Sequence, residues 1–278
     1  MKTVEQPIRL PGQAGDSGPD YLRLPSQMHT YVQPDLDSGL DGLGPAWVQA
    51  LADRLGAQRA GAPSTRVPLD ALGPEALRQL EQLLGRGEVG ASVLGQPELH
   101  IRESVFTGLW RVQVMDPQRG RLGDVLEIGA VPDVLREAAR AAAGLLDMPD
   151  RDRIPADVSN APHLLAEVLE RSRRFEQGGP GHVFNLDLLP LGPADQAWLV
   201  EMLGSGPVVI VSEGYGATRI RSTLQASTWW VQYYNSSDAM ILNTLEVAAV
   251  PSVACAADDD LAESAQRLRA LLDMESTR

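Results

Sequence analysis

Residues 72–132 and 191–251 are two copies of one stretch. They align without a gap at an offset of 119, and 19 of the 61 positions are identical. The first copy runs from LGPEALRQLEQLLGRGEV to VLEIGAVP, and the second from LGPADQAWLVEMLGSGPV to TLEVAAVP. The identities fall where a chain has few conformational options: Leu-Gly-Pro at the start, Leu-Gly-x-Gly after the first helical pattern, Trp-x-Val-Gln, and the closing Ala-Val-Pro. Two copies of this length are two small domains, not a solenoid. The fold expected is α+β, an internal duplication of two similar helix-flanked modules with mixed or mainly antiparallel sheets, related by a pseudo-twofold axis. Short turns between successive strands favour antiparallel pairing, and helices open and close each copy.

The domain organisation follows from the same pattern. Residues 1–45 hold six Gly and six Pro with little apolar periodicity, which predicts an irregular N-terminal arm. A first α/β repeat spans 46–146, a polar linker with two prolines spans 147–161, and a second repeat spans 162–278. Pro45, Pro74 and Pro193 suit the first turns of helices, where a missing N–H loses nothing. Gly85 and Gly204 suit helix ends. Strands are expected over 65–70, 89–94, 99–105, 109–115 and 122–128. In the second copy they are expected over 183–187, 208–212, 218–224, 228–234 and 240–247. A helix is expected over 132–146, and another over 162–175 with Asn160 as its cap. Pro68 marks its strand as an edge. Asp258, Asp259 and Asp260 place negative charge where a helix N-terminus favours it.

Composition narrows the function. The net charge is −13 and the pI near 4.7, which argues against a nucleic-acid binder, since such proteins need a basic face. A single cysteine, Cys255, rules out an internal disulfide and a Cys-rich metal or cluster site within one chain. The four histidines lack metal-ligand spacing, and no phosphate loop, dinucleotide fingerprint or nucleophile elbow is present. No apolar run is long enough for membrane insertion, so a cytoplasmic protein is expected.

Two residue sets stand out. Arg102 and Arg221 are equivalent between copies, as are Glu127 and Glu246. A carboxylate and a guanidinium on one sheet suit acid–base work, and suit a cross-strand ion pair better. The other set is asymmetric. The second copy reads STWWVQYYNSS where the first reads GLWRVQVMDPQ. Alternation sends Trp229, Val231 and Tyr233 to one face, and Trp230, Gln232 and Tyr234 to the other. If the first face is core, the second displays residues typical of binding hot spots, with Tyr215 on a nearby turn. The alternative is that a helix covers that face.

The blocks LLGRGEV (83–89), ESVFTGLWRV (103–112), SEGYGATRI (212–220), LEVAAVP (245–251) and DLAESAQRL (260–268) resemble the hydrogenase expression/formation proteins of the HupH/HyaF type. The resemblance extends over nearly the whole chain. It implies an accessory, chaperone-like protein and no enzyme, acting in maturation of an uptake [NiFe] hydrogenase. It also implies, as partner, the iron–sulfur small subunit before export or another maturation protein, with no cofactor of the chain's own. A small-ligand binder or enzyme with Arg102, Glu127, Arg221 and Glu246 converging at an inter-repeat cleft is the competing reading. Either a monomer or a homodimer is compatible with the duplication.

Overall fold

The computed structural model describes residues 40–214 and 216–275. The expected N-terminal arm lies outside them up to residue 39, and so does Tyr215. The described chain divides into two compact units, one of residues 40–135 with 252–275 and one of residues 136–251.

The first unit holds helices α1 (Pro45–Ala57), α2 (Pro74–Leu84) and α6 (Asp258–Glu275). Its strands are β1 (Thr65–Pro68), β2 (Val89–Val93), β3 (Glu98–Glu103), β4 (Leu109–Asp116) and β5 (Gly120–Ile128). They lie in the order β1-β5-β4-β3-β2 with every pairing antiparallel. The second unit holds α4 (Ala161–Glu176) and α5 (Pro193–Leu203) with β6 (His182–Asn185), β7 (Val208–Gly214), β8 (Gly216–Ser222), β9 (Thr228–Tyr234) and β10 (Met240–Val247). Its order, β6-β10-β9-β8-β7, is the first unit's order position for position, again antiparallel. α3 (Asp133–Ala142) begins where the first unit ends in sequence.

The residues kept in both copies explain themselves. Gly85 and Gly204 end α2 and α5 at φ 54° and 61°, a region that L side chains avoid. Two residues on, a Cβ on Gly87 would lie 2.3 Å from the Ser104 carbonyl oxygen, and one on Gly206 would lie 2.4 Å from Ser222 Oγ. These glycines let the chain lie against β3 and β8, where Gly87 and Gly206 donate to Glu103 O and Ser222 O. Trp110 and Trp229 are both buried. Their indoles donate to equivalent carbonyls, Gly129 O at 2.9 Å and Ala248 O at 3.0 Å. A buried indole N–H needs such an acceptor, and the residue just before the closing Ala-Val-Pro supplies it in each copy.

In the first unit Leu109, Leu126 and Ile128 face Leu51 and Leu55 of α1, Leu80 and Leu83 of α2, and Leu261, Leu268 and Leu272 of α6. Each such fully buried leucine stabilises by roughly 1.5–3 kcal/mol. The pairing of α6 with α1 makes the compact units differ from the sequence repeats, since α6 closes the second repeat in sequence but packs in the first unit. Its leucine stripe fits α1, and Arg269 Nη2 meets Asp53 Oδ1 at 3.1 Å. Leu40 and Leu43, at the end of the expected arm, are buried in this core. In the second unit Trp230, Leu245, Val247 and Phe184 face Leu164, Leu165, Val168 and Leu169 of α4 and Trp198, Leu199 and Leu203 of α5.

Local expectations need three corrections. α3 stops at Ala142 rather than 146, because Gly144 leaves the helix to donate to Leu224 O. Asn160 does not cap α4 with its side chain, whose amide donates to Pro190 O. The cap is Asp195 of α5, whose Oδ1 accepts the N–H groups of Ser159, Asn160 and Ala161 at 2.9 Å. The strand expected over 183–187 gives way to a 3-10 turn at Leu186–Leu188, where Asn185 Oδ1 accepts from Asp187 N.

Candidate functional site

The strand register decides which residues can act together. Arg102 is opposite Arg111, and Arg111 is opposite Leu126, whereas Glu127 is opposite Trp110. Partners across an antiparallel ladder share a face, and neighbours along a strand do not. Arg102 and Glu127 therefore lie on opposite faces. The second unit repeats this, with Arg221 aligned to Trp230 and Leu245, and Glu246 aligned to Trp229. The expected Arg–Glu cross-strand pair forms in neither unit. Glu127 is bound instead by Arg66 Nε at 2.7 Å and Ser64 Oγ at 2.9 Å. Glu246 accepts from Thr244 Oγ1 at 3.2 Å, and burial holds its carboxyl above the usual range against that hydrogen bond.

Trp230 is also not displayed. It is 1% exposed and sits in the core under α4 and α5. Gln232 is buried on the same face, and Tyr234 is half-buried at its end. Trp229 on the other face is buried as well, so β9 has no solvent face along Thr228–Gln232.

Beyond Trp230 this face becomes polar. Arg219, Gln232 and Asn243 lie in one row across β8, β9 and β10. Arg219 is 3% exposed; its Nη2 meets Asp238 Oδ1 at 3.1 Å, and its Cζ lies 4.2 Å from the Tyr234 ring centroid. A guanidinium over a tyrosine face gains a cation–π attraction that grows with desolvation. The Tyr234 hydroxyl donates to Gln232 Oε1 at 3.1 Å. Arg219 Nε and Asn243 Oδ1 are buried and find no hydrogen-bond partner among the described residues. Asp238 sits on the β9–β10 turn, at φ 56°, where Asn235 Oδ1 accepts from Ser237 N and Ala239 N.

An apolar rim adjoins this cluster. Met240 is paired with Tyr234 across β9 and β10, and Ile241 follows it at a bulge, 61% exposed. Asp187 Oδ2 accepts the Asn243 N–H at 2.9 Å, which brings the 3-10 turn against β10. Leu188, next along, is 81% exposed, and Leu189 is partly exposed. Exposed leucine, methionine and isoleucine side chains thus stand on the same elements as the buried cation and its partners.

Of the residues singled out in the sequence, Gln232 and Tyr234 belong to this cluster, Trp230 supports it from the core, and Tyr215 lies outside the described residues. Arg219, Asp238 and Asn243 were missed. Their signal was present in the repeat alignment, which sets Arg219 against His100 and Asn243 against Asp124. Among the described residues there is no group of three His, Cys, Asp or Glu side chains able to hold a metal. No described helix is long and apolar enough to cross a membrane.

The model of the HupH hydrogenase expression protein, C-terminal conserved region, matches residues 44–144 and again 158–274, one match to each repeat. The hydrogenase expression/formation protein HoxQ of Cupriavidus necator is 41% identical over 98% of both chains. HupQ of Azotobacter chroococcum is 40% identical over 93% of each chain. HupH of Rhodobacter capsulatus is 37% identical over 93% of this chain and 92% of its own. All three carry the name hydrogenase expression/formation protein.

Proposed function

The chain belongs to the HupH hydrogenase expression protein family, and from that premise we propose that it serves maturation of an uptake [NiFe] hydrogenase as a chaperone-like binding protein. Its partner is the iron–sulfur small subunit, held in the cytoplasm before export. The observation that carries this reading is the end-to-end similarity to relatives named for hydrogenase expression and formation. The exposed Leu188, Met240 and Ile241 support a binding role, since it is neighbouring exposed apolar side chains, not scattered ones, that mark interaction surfaces. The strand register supports binding over turnover, since within each unit the Arg and Glu of the competing cleft reading face opposite sides of their sheet.

The test is an anaerobic pull-down of the small-subunit precursor by the tagged protein, beside an Ile241→Asp/Leu188→Asp variant. Capture by wild type is expected, with at least about a tenfold loss in the variant. Absence of capture by wild type, with the precursor soluble and its clusters intact, would rule the small subunit out as partner.

A further inference from the structure

The hairpin end of the second sheet holds a charge that its own surroundings only half satisfy. In the first unit the helix-facing guanidinium is Arg111, and Asp124 takes it through two parallel hydrogen bonds, Nε–Oδ1 at 3.0 Å and Nη2–Oδ2 at 2.8 Å. In the second unit Asn243 replaces that carboxylate and Trp230 replaces the arginine, while a new guanidinium, Arg219, enters one row along. Arg219 is more deeply buried than Arg111 but donates a single hydrogen bond to a carboxylate, that of Asp238. Asp238 stands on a turn and is itself 39% exposed. A buried guanidinium favours a bidentate carboxylate. Here its Nε is left open, and Asn243 Oδ1 offers an acceptor in the same row. Around this cation stand Met240 and Ile241, which leave the same turn, and Leu188 and Leu189, which follow the Asp187 that binds Asn243 N.

We infer that this end of the second sheet is a docking surface for an extended protein segment presenting a carboxylate between apolar side chains. The carboxylate takes the place of Asp238 on Arg219, and the apolar side chains cover Leu188, Met240 and Ile241. Charge complementarity selects this occupant over a basic one. The carboxylates of Asp187 and Asp238 are already engaged, and the open buried donor of the cluster is the Nε of a cation, Arg219. The chain's net charge of −13 opposes an acidic segment at long range, but charges beyond about 8–10 Å are screened at physiological salt, and the direct ion pair dominates. Asp238 is then an internal competitor that keeps Arg219 matched until the segment arrives. The inference goes beyond the proposed function and does not depend on which protein supplies the segment.

The experiment measures fluorescence anisotropy of a dansyl-labelled, C-terminally amidated peptide, Ser-Leu-Ile-Glu-Leu-Leu-Ser, on the full chain. The matching Gln peptide is the control. Binding by wild type is expected, weakened about tenfold or more with the Gln peptide. Asp238→Asn, which removes the competitor, binds about threefold tighter. Leu188→Ser/Ile241→Ser binds about fivefold more weakly, and Arg219→Gln loses binding. Since removal of a buried arginine can unfold the unit, the decision rests on the surface variant Asp238→Asn and on the Gln peptide, with melting curves confirming that each variant is folded. A purely structural Asp238–Arg219 pair would leave binding unchanged or weaker in Asp238→Asn, and that result overturns the inference. So do equal affinities for the Glu and Gln peptides, or no binding by wild type and Asp238→Asn alike. Small-subunit capture alongside any of these results leaves the proposed function standing and removes only this surface.

Discussion

The two units are built on one hydrogen-bonded frame and filled with different chemistry. Their five strands run in the same order, their tryptophans donate to equivalent carbonyls, and their α2/α5 helices end on the same pair of glycines. Even the β4–β5 and β9–β10 turns are closed alike, by Asp116 and Asn235 at matching positions. The differences lie in side chains that face the helices or tie them down. In the first unit Gln79 of α2 accepts the N–H groups of Gly42 and Leu43 ahead of α1. In the second, Asp195 of α5 does this for the residues entering α4. The task is the same, but the residue differs and sits almost one helical turn away. Duplication has kept the backbone solution and left each unit to find its own polar contacts. Among the described residues, the second unit leaves the Arg219 guanidinium half-matched.

The comparison breaks most severely at the turn before β4 and β9. Gly108 has φ 90°, and a Cβ there would lie 2.3 Å from Leu261 Cδ2; its counterpart Ser227 carries a side chain at φ 49°. Gly108→Ser is therefore expected to destabilise the first unit by about 3 kcal/mol in urea unfolding, because the buried Leu261 and Leu55 side chains must shift and a side chain must take up the positive φ. Next is Asp124→Asn, which gives the first unit the second unit's residue and strips Arg111 of its bidentate partner. A loss of about 2–3 kcal/mol is expected, and Asn243→Asp should be far milder because it brings a carboxylate into the Arg219 row.

Asp195→Ala should cost about 2 kcal/mol, since four backbone N–H groups lose their acceptor. Burial pushes this carboxyl up, but the backbone donors of Ala161, Ser159, Gly192 and Asn160 outweigh it and hold it below the usual aspartate range. Its contribution is thus present above the ordinary aspartate pKa and is lost as pH falls through the lowered value. Melting curves of wild type and Asp195→Ala should converge in acid.

Glu103, where the second unit has Ser222, shows the opposite sign. Burial pushes its carboxyl up to about 8, against a hydrogen bond from Gly108 N, with Glu88 and Asp260 adding to the rise. The contribution of Glu103 to stability should be greatest below the ordinary glutamate pKa, fall as pH rises toward about 8, and level off above it. Glu103→Gln should flatten that slope and gain about 1 kcal/mol at the alkaline end. A variant with the wild-type slope would show that Glu103 does not titrate there. Smallest of all, Ser227→Gly should change stability by about 0.5 kcal/mol or less, since relief of the positive φ offsets the lost bond from Ser227 Oγ to Glu176.

The repeat and the alternation of apolar residues made most of the frame legible. β4, β9 and β10 and helices α1, α2 and α5 lie where periodicity and proline placed them. The faces were not legible. Alternation separates Trp229 from Trp230 but does not say which side a helix covers, and over Thr228–Gln232 both sides are covered. Register was equally silent: Arg102 and Glu127 recur in both copies, yet their rows in the ladder fall on opposite faces. Arg219 is not legible in the matches between the copies, because the first copy has His100 in its place.

The pairing of α6 with α1 also sets an order of events during synthesis. α1 is among the first described elements to be made and α6 is the last, so the unit that begins first is finished last, after all of residues 136–251 have been made. Until Leu261, Ala265, Leu268 and Leu272 arrive, Leu51, Ala52 and Leu55 lack their cover, and a nascent chain stopped before Asp258 would show that apolar face to the cell's folding and degradation machinery. The cover that α6 supplies thus becomes available only after the second unit has been made.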